Sequence, residues 1–154
     1  MQLNIERALS EILSGREERV KTRNAHLSDG VFACQISLNI PGYPKRIQND
    51  RQAIEKFALL FSHEWGTDPF LTENISNEAG LCWIGFFYGD HPDSQRAKKI
   101  AVALEEGTPE GRIFDIDIIV KGISISRSEM GLPYRSCVIC GRPAKECARE
   151  RKHP

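Results

Sequence analysis

Val31-Phe32-Ala33-Cys34-Gln35-Ile36-Ser37-Leu38-Asn39-Ile40 alternates in character along its whole length. Phe32, Cys34, Ile36, Leu38 and Ile40 fall on one side, and Ala33, Gln35, Ser37 and Asn39 on the other. Successive side chains of a strand point to opposite faces, so the stretch predicts a strand with one apolar face and one partly polar face. Pro41-Gly42-Tyr43-Pro44 stops it. Before it, Ser28-Asp29-Gly30 reads as a turn, and Leu3 to His26 reads as a helix with Ile5, Leu9, Ile12 and Val20 near one face. Gly15 is expected to weaken or break that helix. After it, Asp50 is expected to cap a helix whose apolar stripe is Ile54, Phe57, Ala58, Phe61 and Trp65, ended by Gly66.

Two short strands follow, about Phe70–Ser76 and Leu81–Tyr88, joined by Asn77-Glu78-Ala79-Gly80 as a hairpin. A third helix carries Ala97, Ile100, Ala101 and Leu104 and closes at Gly107; Ile113–Val120 forms the last clear strand. The order β-α-β-β-α-β predicts an α+β fold of the ferredoxin-like split βαβ type, two helices on one face of a four-stranded antiparallel sheet. In that arrangement the first and last strands are neighbours, the third lies beside the first, and the other face is free. The chain divides into residues 1–126, an N-terminal helix plus this core, and residues 127–154, a cysteine-rich basic tail, within one domain.

Composition narrows the function classes. Of 154 residues, 40% are hydrophobic and 27% charged, as in a globular chain. The longest apolar runs, such as Phe57–Phe61, are far too short to span a membrane. The acid-containing N-terminus predicts no secretory leader, and five cysteines without one predict the reducing cytoplasm. Lys+Arg and Asp+Glu are balanced at 21 each, which argues against a uniformly basic nucleic-acid binder. The charge is uneven, however: residues 27–126 carry nine basic and fourteen acidic side chains, and residues 127–154 carry seven and three. Such a separation suits an anionic substrate held near a metal, or is simply a solvated basic end.

Gly111-Arg112-Ile113-Phe114-Asp115-Ile116-Asp117-Ile118 carries the strongest chemical signal. Asp115 and Asp117 are two apart, so on a strand both carboxylates share a face and repel. Mg²⁺ takes carboxylate oxygens and substrate phosphates together, and the pair is a candidate Mg²⁺ site for phosphoryl transfer, with Arg112 neutralising charge beside it. An unliganded polar strand face is the alternative. A second signal is Cys137-x-x-Cys140 followed by Cys147 and His153, which would close a tetrahedral Zn²⁺ site or form a packed thiol cluster. Cys34 and Cys82 read as core residues.

Taken together, Arg16-Glu17-Glu18-Arg19, Leu38-Asn39-Ile40-Pro41-Gly42 with Lys45, the Gly111–Asp117 block, and Gly131-Leu132-Pro133 running into Cys137-Val138-Ile139-Cys140-Gly141-Arg142-Pro143-Ala144-Lys145-Glu146-Cys147-Ala148-Arg149 resemble the citrate lyase holo-acyl-carrier-protein synthases, the apo-citrate lyase phosphoribosyl-dephospho-CoA transferases. The resemblance covers about Ile12 to His153. It implies a nucleotidyltransferase-like enzyme. The reaction moves a phosphoribosyl-dephospho-CoA prosthetic group from triphosphoribosyl-dephospho-CoA to a serine of the citrate lyase acyl carrier protein, releasing diphosphate. The family pattern continues past Pro154 and carries different residues at Thr108, Tyr134 and Ser136.

In that chemistry Asp115 and Asp117 would hold Mg²⁺, and Arg112, Arg16, Arg19, Asn39, Lys45, Arg135, Arg149 and Arg151 would meet the substrate. Glu17 or Glu18 would take the serine proton if the first helix lies over the free sheet face. The rival from another class is a non-enzymatic RNA- or protein-binding module with a zinc-knuckle tail. It requires aromatics on the free face, for which Trp83 and Phe87 are the candidates.

Overall fold

In the computed structural model, which describes residues 2–153, the alternating stretch is β1 (Val31–Leu38), the middle strand of the sheet. Before it runs α1 (Gln2–Asn24); after it come α2 (Asp50–Trp65), β2 (Leu71–Asn77), β3 (Gly80–Tyr88), α3 (His91–Glu106), β4 (Phe114–Val120), β5 (Ile123–Ser124) and α4 (Ala144–Glu150). The strand order is β2-β3-β1-β4-β5 with every neighbouring pair antiparallel. The expected adjacency of the first, third and last long strands is therefore present.

The fifth strand is a correction to the four expected. Lys121 and Gly122 both have positive φ, 51° and 82°, which suits a tight two-residue hairpin, and Val120 pairs with Ile123 across it. Two residues are too short to show alternation. Ile113 also leaves the expected strand and joins Arg112 in a 3-10 turn over Glu110–Ile113. At α2 the capping position is Asn49 in the left-handed region, not Asp50. The Asp50 carboxylate, buried, instead accepts from Arg46 Nε at 2.5 Å and from the Arg51 N–H at 2.8 Å.

One sheet face is covered by α2 and α3. Phe32, Cys34 and Ile36 of β1, Trp83 and Phe87 of β3, and Phe114, Ile116 and Ile118 of β4 pack there against Ile54, Phe57, Phe61 and Trp65 of α2 and Ala97 and Ala101 of α3. Burial of such side chains is the main favourable contribution to folding. It also removes the basis of the binding-module alternative, since Trp83 and Phe87 are core residues and not exposed stacking surfaces.

The opposite face is divided. Val31, Ala33, Ile75, Cys82, Ile84, Phe86 and Ile119 form an apolar cluster that runs along the β2–β3 side and across one end. The other end carries Gln35 and Ser37 of β1 and Asp115 and Asp117 of β4. Helix α1 is held near this polar end by hydrogen bonds. Arg19 Nη2 donates to the Ala79 carbonyl at 2.7 Å, and Asn77 Nδ2 donates to the Gly15 carbonyl at 3.1 Å and to Glu18 Oε2 at 2.7 Å.

Gly15 does not break α1. A Cβ there would lie 2.5 Å from Asn77 Oδ1 and 3.1 Å from Ala79 Cβ, so the glycine allows the helix to approach the β2–β3 turn. The expected apolar stripe is also corrected: Ile12 is buried, whereas Ile5, Leu9 and Val20 are exposed. A helix seated by polar contacts in its middle turns needs no continuous apolar face. No helix among the described residues is long and apolar enough to cross a membrane.

Candidate functional site

The β1–β4 register sets Gln35 opposite Asp117 and Ser37 opposite Asp115. Because the sheet repeats every two residues, all four side chains belong to the face away from α2 and α3. Asp115 is exposed and Asp117 half-buried. Burial pushes the Asp117 carboxyl above its ordinary value, and the Asp115 charge adds to the effect; Lys98, the Ser124 hydroxyl donating at 3.3 Å and Arg23 pull the other way. The cost of two adjacent carboxylates is thus only partly met by the protein's own cations.

A hollow of about 350 Å³ lies over this pair. Arg16 and Arg19 of α1 border it on one side; Asn39 and Lys45, beyond the end of β1, border it on another. Six residues singled out from the sequence, Arg16, Arg19, Asn39, Lys45, Asp115 and Asp117, therefore meet in one place. Asn39 is exposed, and its N–H donates to the Ile113 carbonyl at 2.7 Å, which carries the β1–β4 pairing one residue past Leu38. Lys45 Nζ donates to the Ile40 carbonyl at 2.7 Å. Arg19 Nε and Arg23 Nε are buried without an acceptor, so α1, whose Arg16 and Arg19 border the hollow, carries unspent donors.

The remaining sequence candidates lie elsewhere. Arg112, in the 3-10 turn and not on the strand, donates through Nη2 to the Ser136 carbonyl at 2.5 Å. Arg135 donates to the Glu105 carboxylate and, at 2.5 Å, to the Phe114 carbonyl. Both guanidinium groups tie the C-terminal segment to the start of β4 and do not border the hollow. Glu17 and Glu18 are exposed on α1 outside its lining, with Glu18 turned to Asn77. Arg149 lies on α4 and Arg151 caps it, both exposed and outside the lining.

The family model for apo-citrate lyase phosphoribosyl-dephospho-CoA transferase matches residues 7–154. The chain belongs to this family. A probable apo-citrate lyase phosphoribosyl-dephospho-CoA transferase of Vibrio cholerae serotype O1 (strain M66-2) is 43% identical over 155 residues, covering 95% of this chain and 84% of the relative. One of Streptococcus pyogenes serotype M18 is 30% identical over 94% of this chain and 78% of its own length. Protein CitXG of Leuconostoc mesenteroides subsp. cremoris is 25% identical over 94% of this chain and 32% of its own.

In this member of the transferase family, sequence reasoning missed three polar residues at the site. Arg23 donates through Nη1 to Gln35 Oε1 at 3.1 Å and acts on Asp117 through its charge. The signal was present: Arg16, Arg19 and Arg23 are three and four residues apart, the spacing of one helix face. Gln35 and Ser37 were legible as free-face residues, but only the register shows them opposite the acids.

The tail of the transferase-family chain folds into a compact loop. The Sγ atoms of Cys137, Cys140 and Cys147 and a ring nitrogen of His153 all lie within 4.8 Å of one another. Burial and the neighbouring thiols push Cys147 up to about 11, while N–H groups of Cys140 and Ile139 bring Cys137 down to about 7.

Proposed function

We propose that the hollow over Asp115 and Asp117 is the site at which this chain transfers a phosphoribosyl-dephospho-CoA group from triphosphoribosyl-dephospho-CoA to a serine of the citrate lyase acyl carrier protein. The observation that carries this reading is the meeting of a paired carboxylate with Arg16, Arg19 and Lys45 around one hollow, in a chain of that family. Phosphoryl transfer is mainly a matter of positioning and charge neutralisation, and these side chains supply both.

The donor set fits Mg²⁺. Two hard carboxylates share a face, and Asp117 is held above its ordinary value, a cost that a divalent cation relieves. When bound between Asp115 and Asp117, Mg²⁺ would supply positive charge to the triphosphate oxygens. Arg16, Arg19 and Lys45 would bind the remaining phosphate oxygens, and Asn39 would orient one of them. The serine Oγ attacks the inner phosphorus; the new P–O bond forms as the bond to diphosphate breaks. Glu17 or Glu18, exposed between Arg16 and Arg19 on α1, would take the serine proton once the carrier brings its serine to the rim of the hollow. Arg112 and Arg135 keep β4 and the tail in place. The strand order also supports a ferredoxin-like classification, here joined to nucleotidyltransferase-like chemistry.

The test is direct. The chain is mixed with Mg²⁺, triphosphoribosyl-dephospho-CoA and apo acyl carrier protein, and the carrier's mass and free diphosphate are followed together. The expected result is a mass gain of one prosthetic group with stoichiometric diphosphate. No gain from a folded chain, or a gain that survives Asp115→Asn unchanged, overturns the reading.

A further inference from the structure

We propose that Cys137, Cys140, Cys147 and His153 are the four ligands of a structural Zn²⁺ site that clasps the C-terminal segment onto the sheet. Nothing in the transfer reading requires this metal, and the two readings stand or fall separately.

The backbone around the cluster is built to converge. Ser136 and Pro143 form a β-bridge, and between them the chain turns back on itself. The Cys137 N–H donates to the Arg142 carbonyl at 2.6 Å, and the Gly141 N–H donates to the Cys137 carbonyl at 3.0 Å. Gly141 holds φ at 73°, a conformation that a side chain would strain. The first two thiols are thereby presented from one tight loop.

Two further ligands come from the α4 side. Cys147, near the middle of α4, is buried, and its Sγ lies 3.4 Å from that of Cys140. Arg151 takes a positive φ of 46°, and the Lys152 N–H returns to the Cys147 carbonyl at 3.2 Å. This reversal brings His153 back over Cys147. The His153 Nε2 atom is buried and has no hydrogen-bond partner. A buried ring nitrogen without a partner costs free energy unless a ligand or metal takes it.

A tetrahedral site with Zn–S bonds of about 2.3 Å sets its sulfurs roughly 3.8 Å apart. All four ligand atoms here lie within 4.8 Å of one another, so the site closes around an ion with sub-ångström adjustments. Three thiolates and one imidazole fill all four positions, the arrangement of a structural rather than a catalytic zinc. Binding sends the thiol protons to solvent. The benefit is mechanical: the Ser136 carbonyl, one residue before Cys137, receives Arg112, and Arg135 reaches Glu105 and Phe114. A closed clasp therefore fixes both contacts, one to the 3-10 turn before β4 and one to Phe114 at its start.

The full chain, made in zinc-supplemented medium and desalted, would be assayed by elemental analysis and by native thiol titration. The same chain, stripped with chelator under reductant, would be titrated with Co²⁺ and followed by absorption. The expected results are about one zinc per chain and, with Co²⁺, intense sulfur-to-cobalt charge-transfer and tetrahedral ligand-field bands. Cys147→Ser should abolish these bands and His153→Ala should weaken Co²⁺ binding tenfold or more. Chelation should open residues 133–153 to protease while far-ultraviolet circular dichroism is kept. The wild-type measurements stand even if a variant misfolds. Less than about a tenth of a zinc per chain with an octahedral Co²⁺ spectrum overturns the proposal. So does a Cys140–Cys147 disulfide in the freshly isolated chain together with no Co²⁺ uptake after reduction.

Discussion

Replacing Gly15 by alanine sets two effects of opposite sign against each other. In the middle of an exposed helix, Gly→Ala stabilises by about 1 kcal/mol through propensity. Here the new methyl would lie 2.5 Å from Asn77 Oδ1 and 2.8 Å from Asn77 Cγ. The Asn77 side chain cannot simply swing away. Its Nδ2 donates to the Gly15 carbonyl at 3.1 Å and to Glu18 at 2.7 Å, and its Oδ1 accepts from the Ala79 N–H at 2.9 Å. Each such bond contributes about 0.5–1.5 kcal/mol net, so losing all of them costs about 1.5–4.5 kcal/mol. The balance is a net destabilisation of about 0.5–3.5 kcal/mol, which is roughly 1–14 °C in Tm for a domain of this size. If α1 shifts instead, Arg16 and Arg19 move with it and Arg19 loses the Ala79 carbonyl. The functional consequence is a rise in KM for the triphosphate substrate, because uniform binding is lost before chemistry. Thermal melts and transfer kinetics on Gly15→Ala, Asn77→Ala and the double variant resolve the coupling. A higher Tm with KM unchanged would refute the claim that this close approach seats the arginines.

Asp115→Asn and Asp117→Asn are each expected to lower transfer by roughly a thousandfold or more with melting behaviour retained, read by carrier mass and calorimetry. Gly85→Ala should destabilise by about 1–3 kcal/mol, measured by urea unfolding, since a Cβ there would meet the Trp83 ring at 2.3 Å. Glu105 is pushed up to about 7 by burial despite Arg135 and Arg127, from an ordinary 4.5. The folded state thus binds its proton more tightly than the unfolded state, and stability falls as pH rises from about 4.5 through about 7. Glu105→Gln should flatten that dependence between pH 4.5 and 7 by up to about 1.4 kcal/mol per pH unit, and an unchanged slope in urea unfolding counts against it. Arg135→Ala, which leaves Glu105 with one fewer partner, should cost about 3 kcal/mol or more.

Alternation over Val31–Ile40 sufficed to place β1 and its two faces, because a period of two leaves little ambiguity. The same period put Asp115 and Asp117 together. Arg112 misled because adjacency in sequence is not adjacency in space: a 3-10 turn intervenes and sends its guanidinium to Ser136. Strand β5 was hidden by its length, and the cap at Asn49 by a left-handed backbone that no side-chain pattern announces. The exposure of Ile5 and Leu9 was invisible for a different reason. Helical spacing reports that residues share a face, but only tertiary contacts decide whether that face is covered. Arg135 illustrates the same limit, since its partners Glu105 and Phe114 are 30 and 21 residues away.

The outer edge of β4 is only partly paired. β5 covers Ile119 and Val120, and the Ile125 N–H reaches the Ile118 carbonyl at 2.8 Å. Nearer its start, the Phe114 carbonyl is taken by a guanidinium from the tail and not by another strand. An open strand edge is a template for self-association, and proteins blunt such edges with coverings and charge. Here the covering is the C-terminal segment, and the charge is Asp115 and Asp117, whose carboxylates would repel their counterparts in a second copy paired in register along this edge. The same carboxylates that border the candidate site would therefore also disfavour edge-to-edge pairing of two molecules.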